Sequence, residues 1–438
     1  MRQINNSSPF AAFSANDTLP EKPSVSPEER QILRELGKRY AEIAADKANG
    51  ERIRRIEDMH SLKQVRPPLW FGQIPWHELD GSGELTLRCR GEWAREMENF
   101  FRQQLFQWKY FQGDMVAEDA YYIYKTFSQT GIGIDVVEET RATDSKNGIV
   151  SHHYEDQLDS EEKLDVLKLP EVTAYPEKDA ANMEAASEIL DGVLPVRLRG
   201  HGIYYQPWDI IVRFRGIQNC LLDMMDNPSL IHKTIEKFNA IYESRYTQME
   251  ALGLLDYSFP NMNCTPTNTG ELPASDYDGG RVRLKDVWWC GTAQIFVSAS
   301  PAMNDEFNLQ YLRPFMEKCG LSYYGCCEPL HQLVPYLRKI PNMRKMGASP
   351  WTNLRVQAEL MGSDYVLSRK PNPAFVAGSI NADIIEKEIT ETIEVCRANN
   401  TPFEYVLKDI STVSYRVENL AEWAKIVSGV IDRYYGQE

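Results

Sequence analysis

Nine consecutive residues, Tyr323-Tyr324-Gly325-Cys326-Cys327-Glu328-Pro329-Leu330-His331, bring two thiols, a carboxylate and an imidazole together. Thiolates and carboxylate oxygens are the donors that a divalent ion such as zinc takes, with an open position left for chemistry. The apolar run before Cys326 has the length of a strand. A strand alternates its side chains, so Tyr324 shares a face with Cys326 and Glu328, or Tyr323 shares one with Cys327. A second acid, Asp409, ends the strand-like FEYVLKD. Cys326, Cys327, Glu328 and Asp409 are therefore the candidate metal ligands. The alternative is plain: free cysteine is among the most buried residue types and often only fills space. Asp409 beside Lys408 could likewise be a rim ion pair. The chain has no CxxC or HExxH spacing. His331, early in the next helical stretch, and His152-His153, in a hairpin pattern, read as surface residues.

A second constellation is aromatic. HGIYYQPWDIIVRFRG (201–216) follows an apolar segment, and Trp288-Trp289 precedes Gly291-Thr292-Ala293-Gln294. His201, Tyr204, Trp208 and Trp288 could line a pocket for a planar ligand. Asn261, Gln294 and Lys370 would supply its polar contacts. The alternative is that these rings are core beneath a large lid.

These residues need a scaffold that gathers strand ends. Eight strand-like segments lie along the chain, among them VRPPLWFG (65–72), GDMVAEDAYYI (113–123), PVRLRG (195–200), LDYSFPNMN (255–263), LSYYGCC (321–327), MRKMGAS (343–349), DYVLSRK (364–370) and FEYVLKD (403–409). Helical patterns separate most of them, which predicts an α/β fold, a single (β/α)₈ TIM barrel. A doubly wound sheet is the alternative, but no Gly-rich phosphate loop follows any strand. In a barrel the loops after the strands carry function. Those ends hold Gln73, His201, Asn261, Asn263, Cys326, Cys327, Glu328, Ser349, Lys370 and Asp409.

The expected organisation is a disordered tail (1–25), an N-terminal helical extension (26–64) and the barrel (65–438), with a β-hairpin insertion (130–178) between strands 2 and 3. Ser26-Pro27-Glu28-Glu29 opens the first helix, and Asn49-Gly50 should stop it. Lys146-Asn147-Gly148 should turn the hairpin.

Composition narrows the class. The 438 residues are 42% hydrophobic and 25% charged, as in globular proteins. The net charge of −15 argues against non-specific nucleic-acid binding. No apolar run reaches the roughly 18 residues of a membrane span. Eight cysteines dispersed in a long chain, two of them adjacent, suggest a reducing, cytoplasmic setting.

VRPPLWFG and RGIQNCLLDMMDNPSLIHKTIEKF resemble the uroporphyrinogen decarboxylase superfamily over about residues 60 to 435. The decarboxylases themselves grip substrate carboxylates with arginines after the first strand; here that place reads FGQIPWHELD. The other branch is the corrinoid-dependent methyltransferases. Their His-x-Cys strand pair and later Cys, all zinc ligands, would fall at Tyr324, Cys326 and Asp409. Ile74-Pro75-Trp76-His77-Glu78-Leu79, GTAQIFVSASPAMNDEF, YGCCEPL, SRKPNPA and LKDIST look like the substrate methyltransferases of bacterial O-demethylase systems. That resemblance implies transfer of a methyl group from a methoxylated substrate to a Co(I) corrinoid on a separate cobalamin-binding protein. Zinc would polarise the ether oxygen, and Tyr324 and Glu328 would be catalytic. Two copies of the chain could pair. A cofactor-independent decarboxylase and a non-catalytic barrel binding a ligand or partner are the alternatives.

Overall fold

In the computed structural model, residues 23–142 and 150–436 are described; the expected tail up to residue 22 and the Lys146-Asn147-Gly148 turn lie outside them. Helix α1 (Pro27–Ala44) starts as its sequence dictates. Ser26 accepts from the Glu29 amide and the Glu29 carboxylate accepts from the Ser26 amide, a reciprocal capping box. Asn49-Gly50 does not behave as expected. It lies inside the first turn of α2 (Ala48–His60). The Asn49 side chain donates back to the Ile43 and Ala44 carbonyls, so it closes α1 from the neighbouring helix.

Seven strands form one all-parallel sheet: β1 (Leu69–Phe71), β2 (Ile203–Tyr205), β3 (Trp288–Gly291), β4 (Leu321–Tyr324), β5 (Met343–Ala348), β6 (Val366–Arg369) and β7 (Phe403–Leu407). Their order across the sheet is β1-β7-β6-β5-β4-β3-β2. The fold is thus mixed α/β with a parallel sheet, but it is not the closed eight-stranded barrel expected. Tyr121–Tyr124 and Val196–Arg199 pair with each other in parallel and join neither β1 nor β2. The expected strand 255–263 also fails. Leu255 makes one bridge to His201, and Asn261–Met262 folds back on Thr265–Pro266. Pro260 lacks an amide to donate, and Asn263 and Cys264 take positive φ, so the chain turns there instead of extending. It presses on the end of β1 so closely that a Cβ at Gly72 would lie 2.4 Å from Cys264 Cβ.

Between Tyr121–Tyr124 and Val196–Arg199, Glu138–Ala142 pairs antiparallel with Val150–Tyr154, and Phe127–Gln129 with Val172–Ala174.

The sheet has two unlike faces. Leu69, Phe71, Ile203, Tyr205, Trp289, Tyr324, Leu367, Phe403, Tyr405 and Leu407 belong to the main core with the surrounding helices. The other face carries Trp288, Cys290, Leu321 and Tyr323 in a small separate cluster with Met262. Beyond that cluster it is charged. Period-two alternation places Lys345, Ser368, Lys370, Glu404 and Lys408 there, all at most 2% exposed. At the amino end of the strands, α2 covers this face: Ile56 and Met59 pack with Val366 and Trp70. His60 stacks at a tilt 5.2 Å from Trp288.

Candidate active site at the strand ends

The carboxyl ends of β4, β6 and β7 bring four of the expected residues into one neighbourhood. Gly325 is decisive. Its φ of 120° is one that side chains rarely adopt, and a Cβ there would lie 2.7 Å from Leu330 and 3.1 Å from the Gly347 amide. This bend breaks the strand alternation. Tyr323 faces the charged side and Cys326 joins it, whereas Tyr324 faces the helices. Tyr324 therefore does not stand beside the thiols as a proton donor. It is fully buried, its ring stacks on Trp289, and its hydroxyl accepts from Asn308 Nδ2 at 2.9 Å.

Cys326 is buried, and its Sγ lies 3.4 Å from Cys327 Sγ. The Cys327 thiol donates to Asp409 Oδ2 at 3.0 Å. Lys408, not singled out from the sequence, completes the group. Its ammonium is 2.9 Å from Cys326 Sγ, 3.8 Å from Cys327 Sγ and 3.5 Å from Asp409 Oδ2. The neighbouring Cys327 thiol and the Lys408 charge together hold Cys326 below the ordinary thiol range, against the effect of burial. Cys327 is raised in turn, by Cys326 first and by burial second. Burial opposes the Lys408 charge, but Cys326 and Asp409 outweigh it and keep the lysine protonated.

Glu328 goes elsewhere. Its Oε1 accepts from the Thr292 hydroxyl and its Oε2 from the Cys326 amide at 2.9 Å. It tightens the Cys326 turn and presses on Asp209, whose carboxyl is pushed up to about 7 by burial first and by Glu328 second. Asp209 also accepts from the Gln294 amide and side chain at 3.1 and 3.2 Å. The four residues expected to hold a metal thus fail to converge. Both Glu328 oxygens are engaged, and a lysine ammonium touches the other three. Among the described residues no group of three or more His, Cys, Asp and Glu side chains is placed to hold a metal ion. The residues present do not fit a zinc ion.

Lys370 lies on the same face. Its ammonium donates to the Tyr323 hydroxyl at 2.6 Å, to Ser368 Oγ at 2.8 Å and to the Ser368 carbonyl at 3.1 Å. Burial and the Lys408 charge bring it down to about 8. Deeper, Lys345 donates to Glu404 Oε1 at 3.0 Å and to Thr265 Oγ1 at 2.7 Å, and Ser368 Oγ donates to the same carboxylate oxygen at 2.6 Å. Above, the Asp409 amide donates to Gln73 Oε1 at 3.0 Å. Gln73 and Asp409 both hold left-handed φ, of 51° and 58°, a strain that persists only where the surroundings impose it.

The aromatic expectation divides. Tyr204 is half-buried on the charged face, and its hydroxyl donates to Asn263 Oδ1, while Asn263 Nδ2 holds the Gly325 carbonyl at 2.7 Å. Trp208 is core: 0% exposed, its indole N–H given to the Phe307 carbonyl, its ring edge-on to Phe296. Trp288 is buried at the opposite end of the strands and donates to the Thr267 carbonyl. His201 is buried, donates to the Lys125 carbonyl at 2.7 Å, and is pushed down to about 4 by burial. Asn261 is exposed on the turned-back segment. His152 pairs with Glu138 in the hairpin, and His331 accepts from the Asn353 amide.

Sequence inspection missed Asp209, Thr292 and the Lys345–Glu404 pair; it named Asn263 only as a strand end, Tyr323 only as the alternative to Tyr324, and Lys408 only as a partner of Asp409. The signal was present for two of them. In FEYVLKD, Glu404 and Lys408 are four residues apart on one face of a strand whose other face is wholly apolar.

No family profile matches the chain, and no curated protein matches it. Among solved structures it is similar to a methyltransferase from Methanosarcina mazei at 10% identity and a TM-score of 0.47, over 87% of this chain and 98% of that one. A likeness at this level carries nothing about reaction or substrate. No helix among the described residues is long and apolar enough to cross a membrane.

Proposed function

We propose that this chain moves a methyl group from a methoxylated, aromatic substrate to the Co(I) corrinoid of a separate protein. The observation that carries the proposal is the pair of buried ammonium groups, Lys370 and Lys408, at the carboxyl ends of adjacent strands. A phenolate leaves a methyl carbon poorly unless its oxygen gains a proton or meets positive charge. The corrinoid supplies the nucleophile. The chain supplies the electrophilic side: Lys370, at about 8, can give a proton near neutral pH, and Tyr323 holds its ammonium in place. The methyl–oxygen bond breaks, the methyl carbon goes to cobalt, and the Lys370 proton goes to the departing oxygen. Lys408 remains charged, paired to Cys326 and Asp409, and its charge makes the Lys370 ammonium the readier acid. Tyr204 offers the half-buried ring against which an arene can stack. The sequence stretches that resemble O-demethylase methyltransferases support the same reaction.

The test is a set of methoxyarenes incubated with the protein and reduced corrinoid protein or free Co(I) cobalamin. Phenol release in step with the spectral change to methyl-Co(III) is expected. Turnover of substrate with no corrinoid present sinks the proposal, and release of CO₂ from an arene carboxylate under those conditions replaces it with a decarboxylase.

A further inference from the structure

We infer that Lys408 is the resident cation of the Cys326–Cys327–Asp409 cluster, a covalently tethered positive charge in the position a metal ion would take. The inference stands on geometry and is independent of the methyl-transfer proposal. Three soft or anionic donors from two strand ends lie around the Lys408 ammonium. Cys326 and Cys327 come from the turn after β4, and Asp409 from the residue after β7. The Lys408 ammonium reaches all three, at 2.9, 3.8 and 3.5 Å. A zinc ion would need its sulfur ligands at about 2.3 Å and its carboxylate oxygen at about 2.0–2.2 Å. It could not share that volume with an ammonium, and two cations a few ångströms apart repel strongly where water is scarce.

Lys408 has no easy alternative position. It is 1% exposed and sits on a strand end whose next residue, Asp409, is pinned through its amide to Gln73. Glu328, which could have supplied a fourth ligand, is committed to Thr292 and to the Cys326 amide. The cluster therefore has the donor types of a metal centre, arranged around an ammonium and not placed for a metal. A lysine differs from zinc in what it offers a bound ligand. It presents directed N–H donors and a unit charge, and it has no vacant coordination position to bind an ether oxygen directly.

The experiment is a metal titration of purified full-length protein, wild type beside Lys408→Met and Lys408→Gln, read by metal content after desalting and by the thiolate-to-metal absorption of added Cd²⁺. Methionine keeps the length and apolar stem of the lysine; glutamine keeps a polar head. Wild type should retain less than about 0.1 zinc per chain, and at least one variant should retain about one, since removal of the ammonium leaves three donors of matching chemistry free to close around a metal. Replacing Cys326 by serine in the metal-binding variant should abolish the gain. Stoichiometric zinc in wild type overturns the inference. So does failure of wild type and both variants alike to take up zinc or cadmium, because Lys408 would then not be what excludes them. If both variants misfold, about one zinc retained per wild-type chain still overturns the inference.

Discussion

The two faces of the seven-stranded sheet obey different rules. On the helix-covered face, residues such as Tyr205, Trp289, Leu367 and Tyr405 fill space; the Tyr205 and Tyr405 hydroxyls are tied to Asn239 and the Ile389 carbonyl, and the buried Trp289 indole N–H has no hydrogen-bond partner among the described residues. On the opposite face Lys345, Lys370, Lys408 and Glu404 are as deeply buried as any leucine, yet each is charged or titratable. Burial alone therefore does not distinguish core from site. The difference is what replaces water. Dispersion contacts replace it on one face, and a lattice of charge-assisted hydrogen bonds on the other. Such a lattice is costly to break and cheap to reorganise only around a ligand, which is why buried, mutually perturbed titratable groups mark candidate sites.

The contrast can be broken first at Glu404. Lys345 and Ser368 both donate to its Oε1. Removing this acid leaves a buried ammonium uncompensated, so Glu404→Ala should lose about 3–5 kcal/mol. Chemical denaturation checks it, and a loss below about 1 kcal/mol would mean that the charged face is solvated after all. Trp208→Ala should lose a similar amount, about 3–5 kcal/mol, for the opposite reason, a cavity in the apolar core. Its melting curve should drop with no selective loss of arene binding. A binding defect at unchanged stability would restore Trp208 as a pocket wall.

The third prediction concerns pH. Lys370 is lowered to about 8 from the ordinary lysine value of 10.5. Its charged form is therefore disfavoured by folding. The sign is fixed: between those two values the unfolded chain binds the proton and the folded chain does not, so stability rises with pH across that window, and the penalty builds as pH falls from 10.5 and is complete below about 8. In Lys370→Met this segment of the pH–stability curve should flatten. If Lys370 is the proton donor, the alkaline limb of kcat for methyl transfer should also sit near 8 and vanish in the variant. An unchanged limb removes Lys370 from that role.

The smallest effect gives the sharpest comparison. Tyr323→Phe and Tyr324→Phe delete one hydroxyl each from adjacent residues on opposite faces. Each loses one buried hydrogen bond, about 1 kcal/mol. Only Tyr323→Phe, which frees the Lys370 ammonium, should lower turnover. Equal kinetics in the two variants would dissolve the distinction between the faces.

These faces were partly legible in the sequence. Alternation of apolar and polar residues in FEYVLKD, the capped helix start at Ser26 and the strand-like character of LSYY all survive in the fold. What failed did so for local reasons. The alternation through Tyr323-Tyr324-Gly325-Cys326 could not be followed past a glycine whose φ is set by the approach of Gly347 and Leu330, a tertiary contact. Residues 255–263 have the apolar content of a strand, but a proline and two left-handed residues turn them aside. Trp208 and Trp288 could equally serve a pocket or a core, since an indole satisfies its one N–H with a carbonyl in either place. Lys408 was visible but was weighed against Asp409 alone, because the thiols that complete its surroundings lie about eighty residues away in the chain.

Helix α2 has a consequence for traffic. Ile56, Met59 and His60 seal the amino end of the charged face, and the Arg344 guanidinium fastens His60 there through its carbonyl. Cys327 and Asp409, at the other end, reach solvent. Access from that end alone would impose a queue. Under the proposed reaction the small substrate must enter before the methyl acceptor covers the opening, and its demethylated product must wait until that acceptor has gone. An excess of unreactive acceptor should then slow product escape without altering the affinity for substrate in its absence.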